Sequence, residues 1–208
     1  TDAPTPPPTQ KAIFAYGYNG SYVSMSNLVN SSGVIATDVT GVGTGRSTVG
    51  AAGYGTDKAI FAYGYTGSRV SMSNLVNNSG VVGSDVSGVG TARNGIAAAG
   101  YGSTGQAIFA YGNTGSSVSM SNLVTNVGVI GSDVTGVGTA RHALAAAEYG
   151  LDKAIFGYGY SLTSLTNLVS NVGVVSADVT GVGTVRYSLA AAGYGLDKAL
   201  FGYGELGS

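Results

Sequence analysis

The sequence predicts an all-β chain, a β-propeller of about four blades built from four-stranded repeats of about 47 residues, and three observations carry that expectation. One phrase recurs: from Lys11 the sequence restarts at Lys58, Gln106, Lys153 and Lys198, giving units of 47, 48, 47 and 45 residues. Each unit holds four segments of strand length separated by turn-forming sequence. One of those segments is made almost entirely of Ala and Gly, which suits a crowded axis on which neighbouring sheets converge. A repeat of roughly 40 to 50 residues marks a repeat architecture, and its content decides which one. A four-stranded meander cannot bury both faces alone, and radial stacking solves that problem.

The second unit shows the elements in order. "KAIFAYGY" (58–65) mixes branched and aromatic residues and ends in glycine-rich sequence. "VSMSNLV" (70–76) alternates polar and apolar, "GVVGSDV" (80–86) is short and β-branched, and "GIAAAGYG" (95–102) carries small side chains. The linking pieces "TGS", "NNSG", "SGVG" and "GSTG" supply turn chemistry. A helix over the alanines is disfavoured, because the bracketing glycines each cost about 1 kcal/mol. All five phenylalanines, Phe14, Phe61, Phe109, Phe156 and Phe201, fall at one position of the unit and are expected to anchor it.

These units divide the chain into a tail at 1–10, repeats at 11–57, 58–105, 106–152 and 153–197, and a partial repeat at 198–208. The tail, "TDAPTPPPTQ", holds all four prolines and reads as an extended, semi-rigid linker. Counting segments leaves one surplus "KAIF" strand, present near both ends. Either a closed ring uses one of the two, or unfinished end blades are completed by another chain through strand pairing.

Composition narrows function. Of 208 residues, 44% are hydrophobic and 9% charged, with nine Lys and Arg against ten Asp and Glu. There is apolar material for a core, and no basic field to gather nucleic acid or an anionic membrane. Cysteine is absent, so no disulfide framework exists and the redox compartment stays open. Apolar runs fall well short of the roughly 18 residues that span a bilayer, so the chain reads as soluble. It opens on Thr1 without a signal-peptide pattern, which fits processing, an upstream part or a designed boundary.

Arg141 followed by "ALAAAEYGLDKAIFGYG", then "SLTNLV", "GVV" and "DVTGVGTVR" leading to Arg186, resembles a kelch motif. The likeness covers all four units: a basic residue, a small-residue strand, a tight turn, an aromatic strand ending in glycines and a Leu/Val strand. Two features depart from it. The double glycine is replaced by Gly-Tyr-Gly or Ala-Tyr-Gly, and the usual tryptophan is missing. The wording is also similar to kelch-like repeats of tailed-bacteriophage structural proteins. That resemblance implies a non-enzymatic virion component, such as a tail fibre, tail-associated or decoration protein, located in the virion or extracellularly. An extracellular glycan-binding propeller is the alternative.

Recurrence sorts the charged residues. Asp38, Asp85, Asp133 and Asp178 each precede an arginine by eight residues, Arg46, Arg93, Arg141 and Arg186. A ring of ligand-binding charges is one reading. The other, preferred because blade packing needs the group in every unit, is that Asp accepts turn amides or meets an Arg of the same or the next blade. The Asp-Lys pairs at 57/58, 152/153 and 197/198 are read as hairpin-turn chemistry.

Catalysis has little material: one histidine, His142, and two glutamates, Glu148 and Glu205. His142 takes a position held by Ser47, Asn94 and Tyr187 in other units, which fits a loop edge better than a catalytic base. No spacing points to a metal or cofactor, and the G-x-G pieces lack the following helix of a phosphate loop. Specificity is expected where units differ: Tyr22, Arg69, Asn113, His142 and Glu148, on one rim. Partners read from this pattern are other protein subunits, self through terminal strands, or a surface glycan.

Overall fold

Strands form where branched and aromatic residues cluster, and stop where glycines turn the chain. The computed structural model describes residues 12–161 and 163–206; the Pro-rich tail lies outside them. A hairpin of β1 (Ala12–Tyr18) and β2 (Tyr22–Val29) comes first. Three three-stranded sheets follow: β3 (Gly50–Tyr54), β4 (Lys58–Ala62) and β5 (Ser73–Val76); β6 (Ala97–Tyr101), β7 (Gln106–Ala110) and β8 (Ser121–Val124); β9 (Ala145–Tyr149), β10 (Lys153–Gly157) and β11 (Thr166–Val169). A second hairpin, β12 (Ala190–Tyr194) and β13 (Lys198–Gly202), comes last. Every pairing is antiparallel, and the described residues contain no helix. The all-β class is therefore shown.

Each sheet places the aromatic strand between the small-residue strand and the Leu/Val strand. Their registers are identical: Phe61 faces Ala51 and Asn74, Phe109 faces Ala98 and Asn122, and Phe156 faces Ala146 and Asn167. The expected fourth strand is reduced to two isolated bridges per unit, such as Val76 with Val82 and Ser73 with Val86. The cause is a side chain. Between those bridges the Asn74 amide donates to Gly83 O at 3.0 Å and Asp85 Oδ1 at 2.9 Å, holding the segment off a continuous ladder.

A tyrosine in the left-handed region follows β4, β7, β10 and β13, with φ of 63° at Tyr63, 64° at Tyr111, 62° at Tyr158 and 62° at Tyr203, and its counterpart Tyr16, at the register shift within β1, has φ of 65°. Such backbone costs a non-glycine residue about 1–2 kcal/mol, so its recurrence asks for a compensating contact. Glycine must follow. At Gly64, φ is 114° and a Cβ would lie 2.7 Å from Ser47 O.

Sheets stack in chain order through β3, β6, β9 and β12, with β7, β10 and β13 each touching the small-residue strand of the sheet before. Backbone bonds stitch both ends of this edge. Gly55, Gly102 and Gly150 donate to Gly105, Asp152 and Asp197; Gly95, Ala143 and Ser188 donate to Thr48, Gly95 and Ala143. Ala and Gly permit this approach because no larger Cβ substituent intervenes.

The succession is open: β12 pairs with β13, and β1 with β2. No closed propeller is present among the described residues. The surplus aromatic strand is thus kept at both ends, and burial records the result. Phe61, Phe109 and Phe156 are at most 3% exposed, whereas Phe14 is 60% exposed and Tyr203 93%.

Candidate functional site

Recurring positions fall in two places, the junctions between sheets and the rim that crosses them.

At each junction the arginine of the connecting segment enters the next sheet. Arg93, fully buried, donates from Nε to Tyr111 O at 2.9 Å, from Nη1 to Thr91 O at 3.1 Å and from Nη2 to Asn122 Oδ1 at 2.5 Å. Its guanidinium lies 4.3 Å from the centroid of the Tyr63 ring in the preceding sheet. Arg46 and Arg141 repeat the set on Tyr63 O and Asn74, and on Tyr158 O and Asn167. The carbonyl that accepts Nε belongs to the left-handed tyrosine. At Tyr63, Tyr111 and Tyr158 the left-handed backbone aims the carbonyl at a buried charge, which is costly without partners; Tyr16 and Tyr203 keep the same φ with no such arginine bond among the described residues.

The aspartate completes the junction from the far side. Asp85 accepts from the Thr44 N–H at 3.0 Å and the Thr44 hydroxyl at 2.6 Å, and lies 3.8 Å from Arg46 Nη1. Asp133 meets Thr91 and Arg93, and Asp178 meets Thr139, in the same way. Each Asp therefore serves the Arg of the connection before it rather than the Arg eight residues after. The recurring "GVGT" follows from this. Gly43, at φ 74°, has the Asp85 carboxylate and the Asn74 amide where a Cβ would stand.

Burial lowers the affinity of Arg46 and Arg93 for their proton, against the opposing pull of a tyrosine and an aspartate. The Tyr63 hydroxyl is pushed up to about 12 by burial, which outweighs Arg93. Burial also raises the Asp85, Asp133 and Asp178 carboxyls, but threonine and asparagine hydrogen bonds and the arginine outweigh it and hold all three below the ordinary value. A depressed folded-state value contributes stability above the unfolded value and loses it as pH falls through the folded one. The melting temperature is therefore expected to hold down to about pH 5 and to fall below about pH 4. Asp133→Asn should lower it at neutral pH and shallow the acid slope. A melting temperature flat to about pH 2 contradicts this reading.

The rim carries the positions at which units differ. Backbone bridges pair Ser47 with Tyr65, Asn94 with Asn113, His142 with Tyr160 and Tyr187 with Glu205. The backbone is the same each time and only the side chains change. Contacts between rungs make one continuous row. Tyr18 meets Tyr22 at 5.2 Å between ring centroids, and Tyr22 meets Tyr65 at 6.0 Å. Arg69 reaches the next unit, donating to Asn113 O at 3.0 Å and Asn113 Oδ1 at 2.7 Å. Ser117 Oγ lies 2.9 Å from His142 Nδ1, His142 stacks on Tyr160 at 4.8 Å, and Tyr160 meets Tyr187 at 5.4 Å.

Four of the five variable residues, Tyr22, Arg69, Asn113 and His142, thus lie together on this row. Glu148 does not. It sits within β9, in the column Gly53, Gly100, Glu148, and lines a groove of about 300 Å³ with Tyr54, Tyr101 and Gln106. Grouping it with the rim is corrected by the strand between them. Ser117 and Tyr187 were missed as members; their signal was alignment with Arg69 and His142 across units.

Burial and the Arg69 charge both lower the His142 pKa, favouring a neutral imidazole. Its bond to Ser117 is the nearest approach to a nucleophile and base pair, and no carboxylate bonds the ring among the described residues. Nor do the described residues hold a cluster of three metal-ligating side chains. No family model matches the chain, and no curated protein matches it.

Proposed function

We propose that the protein is a non-enzymatic structural and adhesive component, an open arc of a kelch-like propeller that presents its rim to a protein or surface partner. One observation carries this reading. The residues constant between units, Arg, Asn, Asp, Thr, Tyr and Phe, lie in the junctions, and four of the five variable residues, Tyr22, Arg69, Asn113 and His142, lie along one surface row, half-buried except at Arg69. A rigid scaffold with adaptable edge positions is the division expected of a binding or assembly module. The phage-like wording of the repeat supports a virion component, with tail fibre, tail-associated and decoration roles all fitting, and a virion or extracellular setting.

A glycan-binding module is the second reading. The tyrosine faces at both ends of the rim, with Arg69, Asn113 and Ser117 between them, offer stacking surfaces and hydrogen-bonding groups to a sugar. Thermal melting across a glycan panel separates the two. The structural reading expects no ligand-dependent shift. A saturable rise for one sugar class, abolished by Tyr22→Ala with Tyr160→Ala, would replace it with the glycan reading.

A further inference from the structure

Two departures from the repeat meet in one place. Glu148 stands in β9 where β3, β6 and β12 carry Gly53, Gly100 and Gly193. Gly105 and Gln106 stand where the other hairpin turns carry Asp57 and Lys58, Asp152 and Lys153, and Asp197 and Lys198. Each of those lysines bonds the aspartate beside it. Both exceptions fall on the walls of the groove of about 300 Å³, which crosses three successive sheets, from Gly53 and Lys58 through Gly100 and Gln106 to Glu148 and Leu151. Glycine makes the room: a Cβ on Gly100 would stand 3.2 Å from Glu148 Oε2. The groove lies at the far end of the small-residue strands from the rim, since Ser47, Asn94 and His142 precede β3, β6 and β9, whereas Tyr54, Tyr101 and Tyr149 end them.

Among the described residues the Glu148 carboxylate has no ion pair. Burial raises its pKa, and neither a cation nor a hydrogen-bond donor offsets that. Lys58 is the cation on the groove wall, and Asp57 already holds it at 2.7 Å. Gln106 withdraws the next one, because a lysine there, as at its counterparts, would bring a second ammonium group to the wall. The Gln106 Oε1 atom is buried without a hydrogen-bond partner, which carries a desolvation cost that no bond offsets.

We propose that this groove binds an organic cation, an ammonium or guanidinium group on a short carbon chain, with Glu148 as its counter-charge and Gln106 as a hydrogen-bonding group. The charges on the page select the sign of the ligand. Asp57 and Lys58 cancel, so Glu148 leaves the wall with a net negative charge. The N–H groups of a cation supply a charge-assisted bond to the carboxylate, and rotation of the Gln106 side chain presents its oxygen to the same donors. Leu151, 67% exposed, offers an apolar surface to the carbon chain. The volume is at the low end for small-molecule sites, which suits a single short chain. This site goes beyond the structural role proposed above and does not depend on it.

The test is an NMR titration of the full 208-residue chain with n-butylammonium chloride at constant ionic strength, with n-butanol as the neutral analogue. Saturable shifts of the Gly100, Tyr101 and Glu148 amides are expected with the cation and none with the alcohol. Glu148→Gly should weaken binding about tenfold or more while leaving the melting temperature nearly unchanged, because it restores the residue of the other units at an exposed position. Gln106→Lys, which restores the cation of the other turns, should weaken binding by a similar factor. An acetylated and amidated Gly-Gly-Lys-Gly-Gly peptide identifies the source of the cation. Binding tighter than that of butylammonium supports a lysine borne by a polypeptide, and weaker binding supports a free amine. No saturable shift with either cation overturns the proposal, as do equal shifts with butanol or binding that survives Glu148→Gly. None of these outcomes touches the rim, so the broader structural role stands or falls separately on the glycan panel.

Discussion

Arg93→Met is expected to destabilise the protein by roughly 3–5 kcal/mol, the cost of breaking a buried charged network by removing one partner. The side chain is fully buried and makes bonds to Tyr111 O, Thr91 O and Asn122, besides lying on the Tyr63 ring. Methionine fills much of the volume but offers no donor. Three acceptors lose their partner, Asp133 loses its nearby cation, and Tyr111 keeps a left-handed backbone without its compensating bond. For a chain of this size the melting temperature should fall by about 6–20 °C. Because neighbouring sheets contact only each other, amide exchange should quicken first in β6 to β8. Arg69→Ala is the control: it removes an exposed arginine bonded only to Asn113 among the described residues, and should shift melting little. Equal effects of the two substitutions would mean that the junction does not hold the sheets together.

Phe109→Ala should cost about 3–5 kcal/mol, the range for emptying a core aromatic site, whereas Phe14→Ala should cost far less. The two residues occupy the same position of the repeat, and sequence gives no reason to rank them. Phe109 is 0% exposed and packs on Tyr63 at 5.6 Å, over Gly50. Phe14 is 60% exposed. Deleting the first ring leaves a cavity that stiff sheets close only in part. Deleting the second removes surface already wet. Urea unfolding of both variants measures the difference, and similar losses would show that Phe14 is covered in solution and contradict the exposure on which the ranking rests.

The strands were legible because their signals are local. Branched and aromatic runs, alternation and glycine turns placed every aromatic, Leu/Val and small-residue strand within a few residues. The fourth strand was misjudged because Asn74, which lies outside it, takes the Gly83 carbonyl and the Asp85 side chain, leaving a Gly83 N–H bond to Leu75 O and isolated bridges in place of a continuous ladder. The Asp-Arg recurrence was visible, but its pairing was not. Sequence offers the arginine eight residues on. Asp85 instead meets Arg46, 39 residues earlier, because each connection delivers its arginine into a sheet whose aspartate comes last in that sheet. Rim membership was half legible: variation marked Tyr22, Arg69, Asn113 and His142, while Ser117 and Tyr187 join through contacts with neighbouring units.

By itself the sequence determined the period, the all-β class, the turn positions and the scarcity of ionisable groups, since each depends on residues close along the chain. Tertiary structure alone decided which repeated groups are buried, which aspartate serves which arginine, and that the succession of sheets stays open. Identical phrases acquire different environments only when a neighbour covers them. Phe109 has a sheet on either side, and Phe14 has one.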